Sequence, residues 1–342
     1  MQALVLAGGE GTRLRPLTLT VPKPIMPLAG RPFLSFMIEW LARHGVDDCL
    51  LSCGFMAERV EAVIGSEHAG TRLRYVVERE PLGTAGPVRL AYNEGLLEER
   101  FLVLNGDVLT NIDLTAEIEQ HERTGATATL ALVAVEDPST YGAVPTSPAG
   151  EVEAFLEKMP DPPTGRINAG AYVIERDPVA ERIASGRAVS FELDVFPALV
   201  GEGLYGFQAE AYWIDIGTPR RYLEATWGLL GGAVESSLPA RDQSGSLVYP
   251  PAAVAGARVG PLTVLGSGSE VGAGSLVERA VLHDNVRVGA DCVVRESVLG
   301  EGVEVGFGAA IEPGAMVGSG ASIAIGARVP GGARVAPGEH VR

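Results

Sequence analysis

Apolar and polar residues follow two different periods along the chain, and the change falls between residues 230 and 247. Before it, short apolar runs alternate with segments whose apolar residues recur every three or four positions, which predicts alternating strands and helices. Such alternation is typical of an α/β domain, so we predict a Rossmann-like, doubly wound, mixed but largely parallel sheet over residues 1–232. The predicted strands cover 2–7, 49–53, 72–78, 101–105 and 127–135, and the predicted helices cover 32–44, 57–64, 84–97 and 114–124.

After a linker at residues 233–246, the helical period disappears and glycine becomes frequent. Valines recur 17 residues apart at positions 254, 271, 288 and 305, and from Val305 an aliphatic residue recurs every six positions up to Val335. One inward aliphatic residue in every six describes a parallel β-helix, in which a coil of three strands has about 18 residues. A glycine-rich disordered tail would have no fixed register. We therefore predict a C-terminal left-handed parallel β-helix of hexapeptide repeats over residues 247–342.

Composition narrows the classes of function. The 342 residues are 46% hydrophobic and 20% charged, and the net charge is −16 without any run of lysine or arginine. A nucleic-acid partner is therefore not expected, because an acidic protein repels a phosphate backbone. No apolar stretch reaches the ~18 residues of a membrane span, and the N-terminus does not resemble a signal peptide. Cys49, Cys53 and Cys292 have no metal or redox spacing. We expect a cytoplasmic protein with reduced cysteines and no membrane partner.

The first predicted strand continues into a long loop at residues 6–27, LAGGEGTRLRPLTLTVPKPIMP, that contains little expected to pack a core. Its three glycines let backbone N–H groups approach an anion closely. Arg13 can bind phosphate oxygens with two parallel hydrogen bonds, and Lys23 is a cation between two prolines. The spacing matches neither the GxxxxGK[ST] phosphate loop nor the GxGxxG dinucleotide motif. This loop and residues 105–107 both follow strands, so both should lie at the carboxyl edge of the sheet, where such folds bind ligands.

Six motifs along the chain strengthen the phosphate hypothesis. The loop motif LAGGEGTRLRPLT, with PKP after it, is followed by EPLGTAGP, NGD, FLEK, NAGAY and WIDIGTPRRY. In this order and at these distances they resemble the signature of the sugar-1-phosphate nucleotidyltransferases, and the resemblance covers essentially the whole chain. Within that family the pattern is similar to the mannose-1-phosphate guanylyltransferases. The resemblance implies attack of a sugar-1-phosphate oxygen on the α-phosphate of a nucleoside triphosphate, with release of pyrophosphate.

The resemblance also implies roles for individual residues. The catalytic side chains would be Arg13, Lys23, Asp107, Lys158 and Asp215, and the two aspartates would hold Mg²⁺, which prefers carboxylate, phosphate and water oxygens. Arg13 would neutralise the departing β- and γ-phosphates, and Lys23 the α-phosphate. The remaining implied contacts are Leu6, Ala7, Gly8, Gly9, Gly11, Thr12, Glu78, Pro81 and Gly83 for the nucleotide, and Gly142, Glu157 and Asn168, with Lys158, for the sugar phosphate.

Glu78 bears on the choice of base, because thymidylyl- and uridylyltransferases of the family usually have glutamine at its position. Guanine presents two adjacent donors, N1–H and the N2 amino group, which one carboxylate can accept together. Thymine and uracil present one N–H between two carbonyl groups, which a carboxylate would repel. Glu78 therefore favours GTP, and overall likeness favours mannose-1-phosphate. The alternatives are dTTP with glucose-1-phosphate, GTP with heptose-1-phosphate, and a solvent-facing Glu78 without a role in binding.

The β-helix has two candidate roles. An acyltransferase module would need a catalytic base, and only His283 and His340 lie in this region. An assembly module needs no such residue, and the open ends of a solenoid favour self-association, so we expect a homo-oligomer. A regulatory subunit that binds nucleotide sugars without turning them over is an alternative for the whole chain. Such a subunit should have lost a catalytic cation or a metal aspartate. All of them are present, so we predict an active enzyme that takes an NTP and a sugar-1-phosphate.

Overall fold

The structure, a computed structural model, describes residues 1–254 and 256–342 and divides into two compact units. The first, called the α/β unit, consists of Met1–Gly9 and Met37–Trp213. The second, called the β-helix unit, consists of Glu10–Phe36 and Ile214–Arg342. Most of the long loop after the first strand therefore groups with the C-terminal part of the chain and not with the strand that precedes it.

Ten strands form the main sheet of the α/β unit within the described residues. In chain order they are β1 (Gln2–Leu6), β2 (Asp48–Cys53), β3 (Glu67–His68), β4 (Thr71–Val77), β5 (Arg100–Asn105), β6 (Ala128–Ala134), β7 (Gly142–Ala143), β8 (Leu156–Glu157), β9 (Arg166–Glu175) and β10 (Leu204–Ala209). Short strands outside this sheet are Pro27–Leu28, Arg31–Pro32, Val108–Thr110 and Trp213–Asp215.

The centre of this sheet is parallel, with the order β4-β2-β1-β5. On one side β9 pairs antiparallel with both β5 and β6, and β10 continues parallel to β6. A register shift in β9 between Asn168 and Tyr172 marks a bulge. The predicted α/β class, with a mixed sheet around parallel strands, is confirmed.

The helices are α1 (Phe33–Arg43), α2 (Ala57–Ile64), α3 (Gly86–Asn93), α4 (Leu114–Thr124), α5 (Arg176–Ala180), α6 (Phe196–Leu199) and α7 (Pro219–Gly231), with a π-helix at Phe191–Val195 and 3₁₀ turns at Thr12–Leu14, Leu17–Leu19, Lys23–Ile25 and Pro138–Thr140. The predicted bounds of α2 and α4 are confirmed. α3 is shorter than predicted, because Ala85 N–H donates to the Val189 carbonyl and Gly95 has a positive φ after the last turn.

Three parallel sheets make up the β-helix. Inward aliphatic residues pair with equivalents 17 residues away, as Leu265 does with Leu282, and the step lengthens to 18 where Val305 pairs with Ile323. The sheets consist of Leu247–Val248, Val264–Leu265, Val281–Leu282, Val298–Leu299, Met316–Val317 and Arg334–Val335; of Ala253–Val254, Glu270–Val271, Arg287–Val288, Glu304–Val305, Ser322–Ile323 and His340–Val341; and of Arg258–Val259, Leu276–Glu278, Val293–Arg295, Ala310–Ile311 and Arg328–Val329.

Each unit has its own apolar core. Tyr172, Phe191 and Phe196 pack ring against ring in the α/β unit, and the β-helix core is built mainly of valine, leucine, isoleucine and alanine. The three cysteines are buried and free, and burial raises the pKa of the Cys53 thiol to about 12. Within the described residues, no helix is long and apolar enough to cross a membrane.

The expectation that the long loop packs no core is wrong. Leu14, Leu17, Ile25 and Met26 are all buried. They escape recognition in the sequence because three short 3₁₀ turns, rather than one regular element, turn them inward. A loop with its own apolar residues is held in one shape, which suits a segment that must present charges at fixed positions.

Candidate active site

The carboxyl ends of β1 and β5 lie side by side, as the strand order predicts. Leu6 pairs with Asn105, and the Gly106 N–H donates to the Leu6 carbonyl at 3.0 Å. A Cβ on Gly106 would lie 2.5 Å from that carbonyl oxygen, so only glycine fits this approach. The start of the long loop, with Ala7 buried and Gly8 and Gly9 more exposed, therefore shares one edge of the sheet with the NGD segment.

Glu78 is not a free surface side chain. Its Oε1 accepts a hydrogen bond from the Ser52 hydroxyl at 2.8 Å, and its Oε2 accepts one from the Leu82 N–H at 3.2 Å. A Cβ on Gly8 would lie 2.7 Å from Oε1, so the glycine backbone packs directly on the carboxylate. The half-buried carboxylate is therefore fixed against the first glycine of the loop.

The EPLGTAGP segment is held by a distant part of the α/β unit. Gly83 has φ +76°, and a Cβ there would lie 2.4 Å from the Val189 carbonyl oxygen. The Thr84 hydroxyl donates to Glu192 Oε2 at 2.7 Å and accepts from the Phe191 N–H at 2.8 Å. Pro81 and Gly83 remain exposed. A second chain segment thus fixes the loop that the resemblance assigns to the nucleotide.

The NGD and NAGAY motifs meet at the bulge of β9. A Cβ on Gly170 would lie 2.5 Å from Asn105 Nδ2, which places the two motifs in direct contact. Asn168 donates from Nδ2 to the Tyr172 hydroxyl at 2.9 Å and accepts from the Gly170 N–H at 3.0 Å. Burial raises the pKa of Tyr172 well above its usual value, and the negative charge of Glu192 and, less, of Asp107 adds to this, so the phenol stays neutral.

The residues predicted to bind the sugar phosphate form a second cluster in the α/β unit. Gly142 pairs with Glu157 across β7 and β8, and a Cβ on Gly142 would lie 3.0 Å from Glu157 Oε2. Lys158 Nζ lies 3.3 Å from Glu157 Oε1, and its side chain is 66% exposed. Tyr141 packs edge to face on Trp213, whose indole N–H donates to the Ala169 carbonyl at 2.8 Å, one residue from Asn168. These contacts connect the FLEK and NAGAY motifs.

In the β-helix unit, Arg13 and Asp215 lie against the same glycine. A Cβ on Gly217 would lie 2.5 Å from Arg13 Nη2 and 2.9 Å from Asp215 Oδ1. The Gly217 N–H donates to Asp215 Oδ1 at 3.1 Å, and Arg221 forms an ion pair with Oδ2. The structure therefore brings together two predicted catalytic residues that are distant in the sequence, and adds Arg221 to them.

Lys23 and Gly11 meet where the long loop folds back on itself. Gly11 has φ +64°, and a Cβ there would lie 3.1 Å from Lys23 Cβ and 3.0 Å from Thr18 Cγ2. The Thr18 hydroxyl donates to the Gly11 carbonyl at 2.8 Å. Lys23 is only 8% exposed, whereas Thr12 and Arg13 are exposed. The predicted catalytic lysine thus lies at a buried position of the loop, and the predicted catalytic arginine lies at its surface.

The carboxylates fit a magnesium ion chemically. Asp215 accepts the Gly217 N–H and pairs with Arg221, and carboxylate oxygen is a ligand that Mg²⁺ prefers. No group of three or more His, Cys, Asp or Glu side chains in the described residues is arranged to hold a metal. A magnesium ion at either aspartate would therefore take most of its ligands from phosphate and water.

His283 is not placed to act as a general base. It is 9% exposed, and burial lowers its pKa to about 4. Its Nε2 lies 3.1 Å from the Tyr222 hydroxyl, which itself donates to the Pro27 carbonyl, so Nε2 carries the hydrogen and donates. The other histidine, His340, contacts the Ser322 hydroxyl through Nδ1 at 2.8 Å. His283 therefore connects the β-helix with α7 and the long loop.

Sequence reasoning missed Ser52, Tyr172 and Arg221. A weak signal existed for Ser52, since it is a hydroxyl within the buried run CLLSC, and buried hydroxyl groups need a partner. Arg221 lies six residues after Asp215, in the first turn of α7, where a strand-to-helix turn returns a side chain toward the strand. Tyr172 gave no signal apart from its motif.

Comparisons with known proteins find matches to both the N-terminal and the C-terminal part of the chain. A family model described as nucleotidyl transferase matches residues 2–230, and one described as GMPPB C-terminal domain matches residues 245–341. A mannose-1-phosphate guanylyltransferase of Mycobacterium tuberculosis is 42% identical over 297 residues, which are 85% of this chain and 82% of that protein. A mannose-1-phosphate guanyltransferase of Emericella nidulans is 38% identical over 66% of this chain, and the match spans 63% of that protein.

Two solved structures resemble the chain over two thirds of its length. HddC from Yersinia pseudotuberculosis is 30% identical, with a TM-score of 0.59 over 67% of this chain and 99% of that one. The same protein complexed with GMP-PN is 31% identical, with a TM-score of 0.57 over the same shares of both chains.

Proposed function

The chain belongs to the nucleotidyl transferase family, and on this premise we propose that it transfers a guanylyl group from GTP to mannose-1-phosphate, giving GDP-mannose and pyrophosphate. The observation that carries the choice of base is the Glu78 carboxylate, which Ser52 and the Leu82 N–H hold beside Gly8. A fixed carboxylate accepts the two adjacent donors of guanine and repels the carbonyl groups of thymine. The choice of mannose is supported by the relatives' names alone.

The reaction is a displacement at phosphorus. A phosphate oxygen of the sugar-1-phosphate forms a bond to the α-phosphorus of GTP while the bond to the bridging oxygen of pyrophosphate breaks. The bonding electrons leave with pyrophosphate. Because both reactants are anions, the protein must hold them in line and neutralise their charge.

Each assigned residue has a role in that task. Arg13, which the contact with Gly217 holds in place, binds the β- and γ-phosphates, and Lys23 binds the α-phosphate as its charge grows. Lys158 binds the sugar phosphate, and Glu157 and Asn168 accept or donate hydrogen bonds to the sugar hydroxyls. Mg²⁺ held by Asp107 and Asp215 would supply further charge neutralisation on the phosphates.

The test is a substrate panel. Pyrophosphate release with Mg²⁺ is measured for GTP, dTTP, UTP, ATP and CTP, each with mannose-, glucose-, N-acetylglucosamine- and a heptose-1-phosphate. We expect the highest kcat/KM for GTP with mannose-1-phosphate. A dTTP and glucose-1-phosphate optimum would refute the assignment of both substrates, and inactivity of the folded protein across the panel would favour the regulatory alternative.

Glu78→Gln tests the base assignment directly. We expect the GTP over dTTP preference to fall about 10- to 100-fold, because the amide can accept only one of the two guanine donors and can pair with thymine. Glu80→Gln, an exposed change two residues away, is the matched control and should leave the preference unchanged. Equal preferences in wild type and Glu78→Gln would contradict the role of Glu78.

A further inference from the structure

We propose that Ser52 positions the Glu78 carboxylate for guanine, so that a buried hydroxyl outside every recognised motif determines base specificity through another side chain. The proposal rests on the proposed function, because guanine is the base assigned there to Glu78. It is carried by two hydrogen bonds that reach the carboxylate from different parts of the α/β unit.

Ser52 is itself held firmly. It is completely buried in β2, and its backbone lies between two neighbours, opposite Leu6 in β1 and Val76 in β4. The Ser52 carbonyl accepts the Ala7 N–H at 2.8 Å, which connects β2 to the first residue of the glycine segment. Because the Ser52 backbone is fixed on both sides, the position of its hydroxyl is restricted, and the 2.8 Å hydrogen bond to Glu78 Oε1 fixes that oxygen.

The second donor removes the remaining freedom. The Leu82 N–H reaches Oε2 at 3.2 Å, so each oxygen has its own protein donor and the carboxylate cannot rotate about its last bond without losing one of them. Gly8 packs on Oε1, where a Cβ would lie at 2.7 Å. Each oxygen still has a second acceptor position, and a purine edge with two parallel N–H donors needs two such positions in one plane.

Without the Ser52 hydroxyl, the orientation of the Glu78 carboxylate should be less fixed. This should weaken the binding of GTP more than that of inosine triphosphate. Inosine triphosphate keeps the N1–H of guanine but lacks the N2 amino group, so it uses only one carboxylate oxygen. In wild type we expect a GTP preference of about 10- to 100-fold, as is usual for one charge-assisted hydrogen bond. In Ser52→Ala we expect that preference to fall about 3- to 10-fold, mainly through a higher KM for GTP.

Two further variants separate positioning from simple structural support. Ser52→Thr keeps the hydroxyl and should restore most of the preference. Ser35→Ala removes another buried serine hydroxyl, which donates to the Pro32 carbonyl at 2.7 Å within the β-helix unit, and should lower the Tm while the preference stays unchanged.

A double-mutant cycle decides the proposal. If Ser52 acts through Glu78, then Ser52→Ala should not change the GTP over inosine triphosphate preference when Glu78→Gln is already present. The proposal is overturned if Ser52→Ala leaves the preference at the wild-type value, or if it lowers the preference equally in both backgrounds. Equilibrium binding of the two nucleotides to the full chain by titration calorimetry gives the same comparison without turnover.

The wild-type panel distinguishes a failure of this proposal from a failure of the proposed function. A dTTP optimum in wild type overturns the guanylyl assignment, and with it the guanine role of Ser52. A GTP optimum with no effect of Ser52→Ala leaves the function standing and overturns the Ser52 proposal alone.

Discussion

The two units of the chain differ in how far apart in sequence their contacting residues lie. In the β-helix unit each strand pairs with one that is 17 or 18 residues away, so Val264 pairs with Val281 and Val281 with Val298. In the α/β unit, Leu6 lies beside both Ser52 and Asn105. A contact that recurs at a fixed short interval leaves a period in the sequence, and a single distant contact leaves none.

The candidate site residues divide between these two kinds of environment. Glu78 and Asn168 belong to the α/β unit, together with the other residues assigned to base and sugar, whereas Arg13, Lys23 and Asp215 belong to the β-helix unit. The residues that we assign to base and sugar thus lie in the unit with non-local strand pairing, and the two cations that we assign to phosphate lie in the unit with the repetitive core. The predictions below test whether this division has functional and energetic consequences.

The largest effect is expected for Arg13→Ala. Removing the cation that we assign to the leaving pyrophosphate should lower kcat/KM about 100- to 1000-fold at an unchanged Tm. The matched control is Arg15→Ala, since Arg15 is also an exposed loop arginine, paired with Glu10 at 3.1 Å. Steady-state kinetics should show less than about a 2-fold change for it. Equal losses in both variants would mean that the loop needs positive charge in general and no particular arginine.

Two glycine-to-alanine variants compare a glycine that packs against a distant strand with one whose backbone conformation alone favours glycine. In Gly106→Ala the new Cβ would meet the Leu6 carbonyl, so we expect a loss of about 3 kcal/mol or more in the free energy of unfolding. Gly302 in the β-helix has φ +69°, and no atom lies within 4 Å of the position that a methyl group would take there, so Gly302→Ala should cost about 1 kcal/mol. Urea denaturation measures both. Similar losses of unfolding free energy in the two variants would mean that the distant contact of Gly106 adds no constraint beyond the local one.

His283 gives the β-helix unit a stability that rises with pH. Its pKa is lowered from 6.5 to about 4, so the unfolded chain binds a proton in this interval while the folded chain does not. Stability from this group is complete above pH 6.5, and about 3 kcal/mol is lost as the pH falls to 4. His283→Gln keeps a donor for Tyr222 without titrating, so its Tm should fall less over this range. Parallel Tm curves would contradict the assignment.

Glu117 gives the α/β unit a stability that falls as the pH rises, the opposite of the effect of His283. It is completely buried on α4, and burial raises its pKa well above 4.5, so the folded state keeps a proton that the unfolded state releases. Stability from this group is therefore complete below pH 4.5 and falls above it, by up to about 1.4 kcal/mol per pH unit. Glu117→Gln should be more stable than wild type at pH 8, with the difference shrinking toward pH 4.5. Thermal melts at several pH values measure this.

The smallest effect is expected on the surface of the β-helix. Arg287 and Glu304 form an exposed pair at 3.5 Å, and Arg287→Ala should change the free energy of unfolding by less than about 0.5 kcal/mol. Its neighbour Val288 points into the core, and Val288→Ala should cost about 1–2 kcal/mol. If the two values were alike, the inward aliphatic row would not be the main source of stability.

Part of this architecture could be predicted from the order of residues alone. The bounds of α2 and α4 follow from helical spacing and from flanking residues such as Asp113, which caps α4 by accepting the Ala116 N–H. The β-helix follows from its period. The start of α3 could not be predicted, because it depends on a contact between Ala85 and Val189 that no local pattern contains.

For the site, the sequence by itself determined which residue types and motifs are present. They could be recognised because phosphate chemistry requires glycine, arginine, lysine and carboxylate, which here lie in recognisable segments. Only the tertiary structure decided that Ser52 holds Glu78, that Arg13 and Asp215 share Gly217, and that His283 is buried rather than catalytic. The physical reason is that hydrogen-bond geometry and desolvation depend on which distant segments are packed together. A motif records that a side chain is present, and packing determines its orientation and charge.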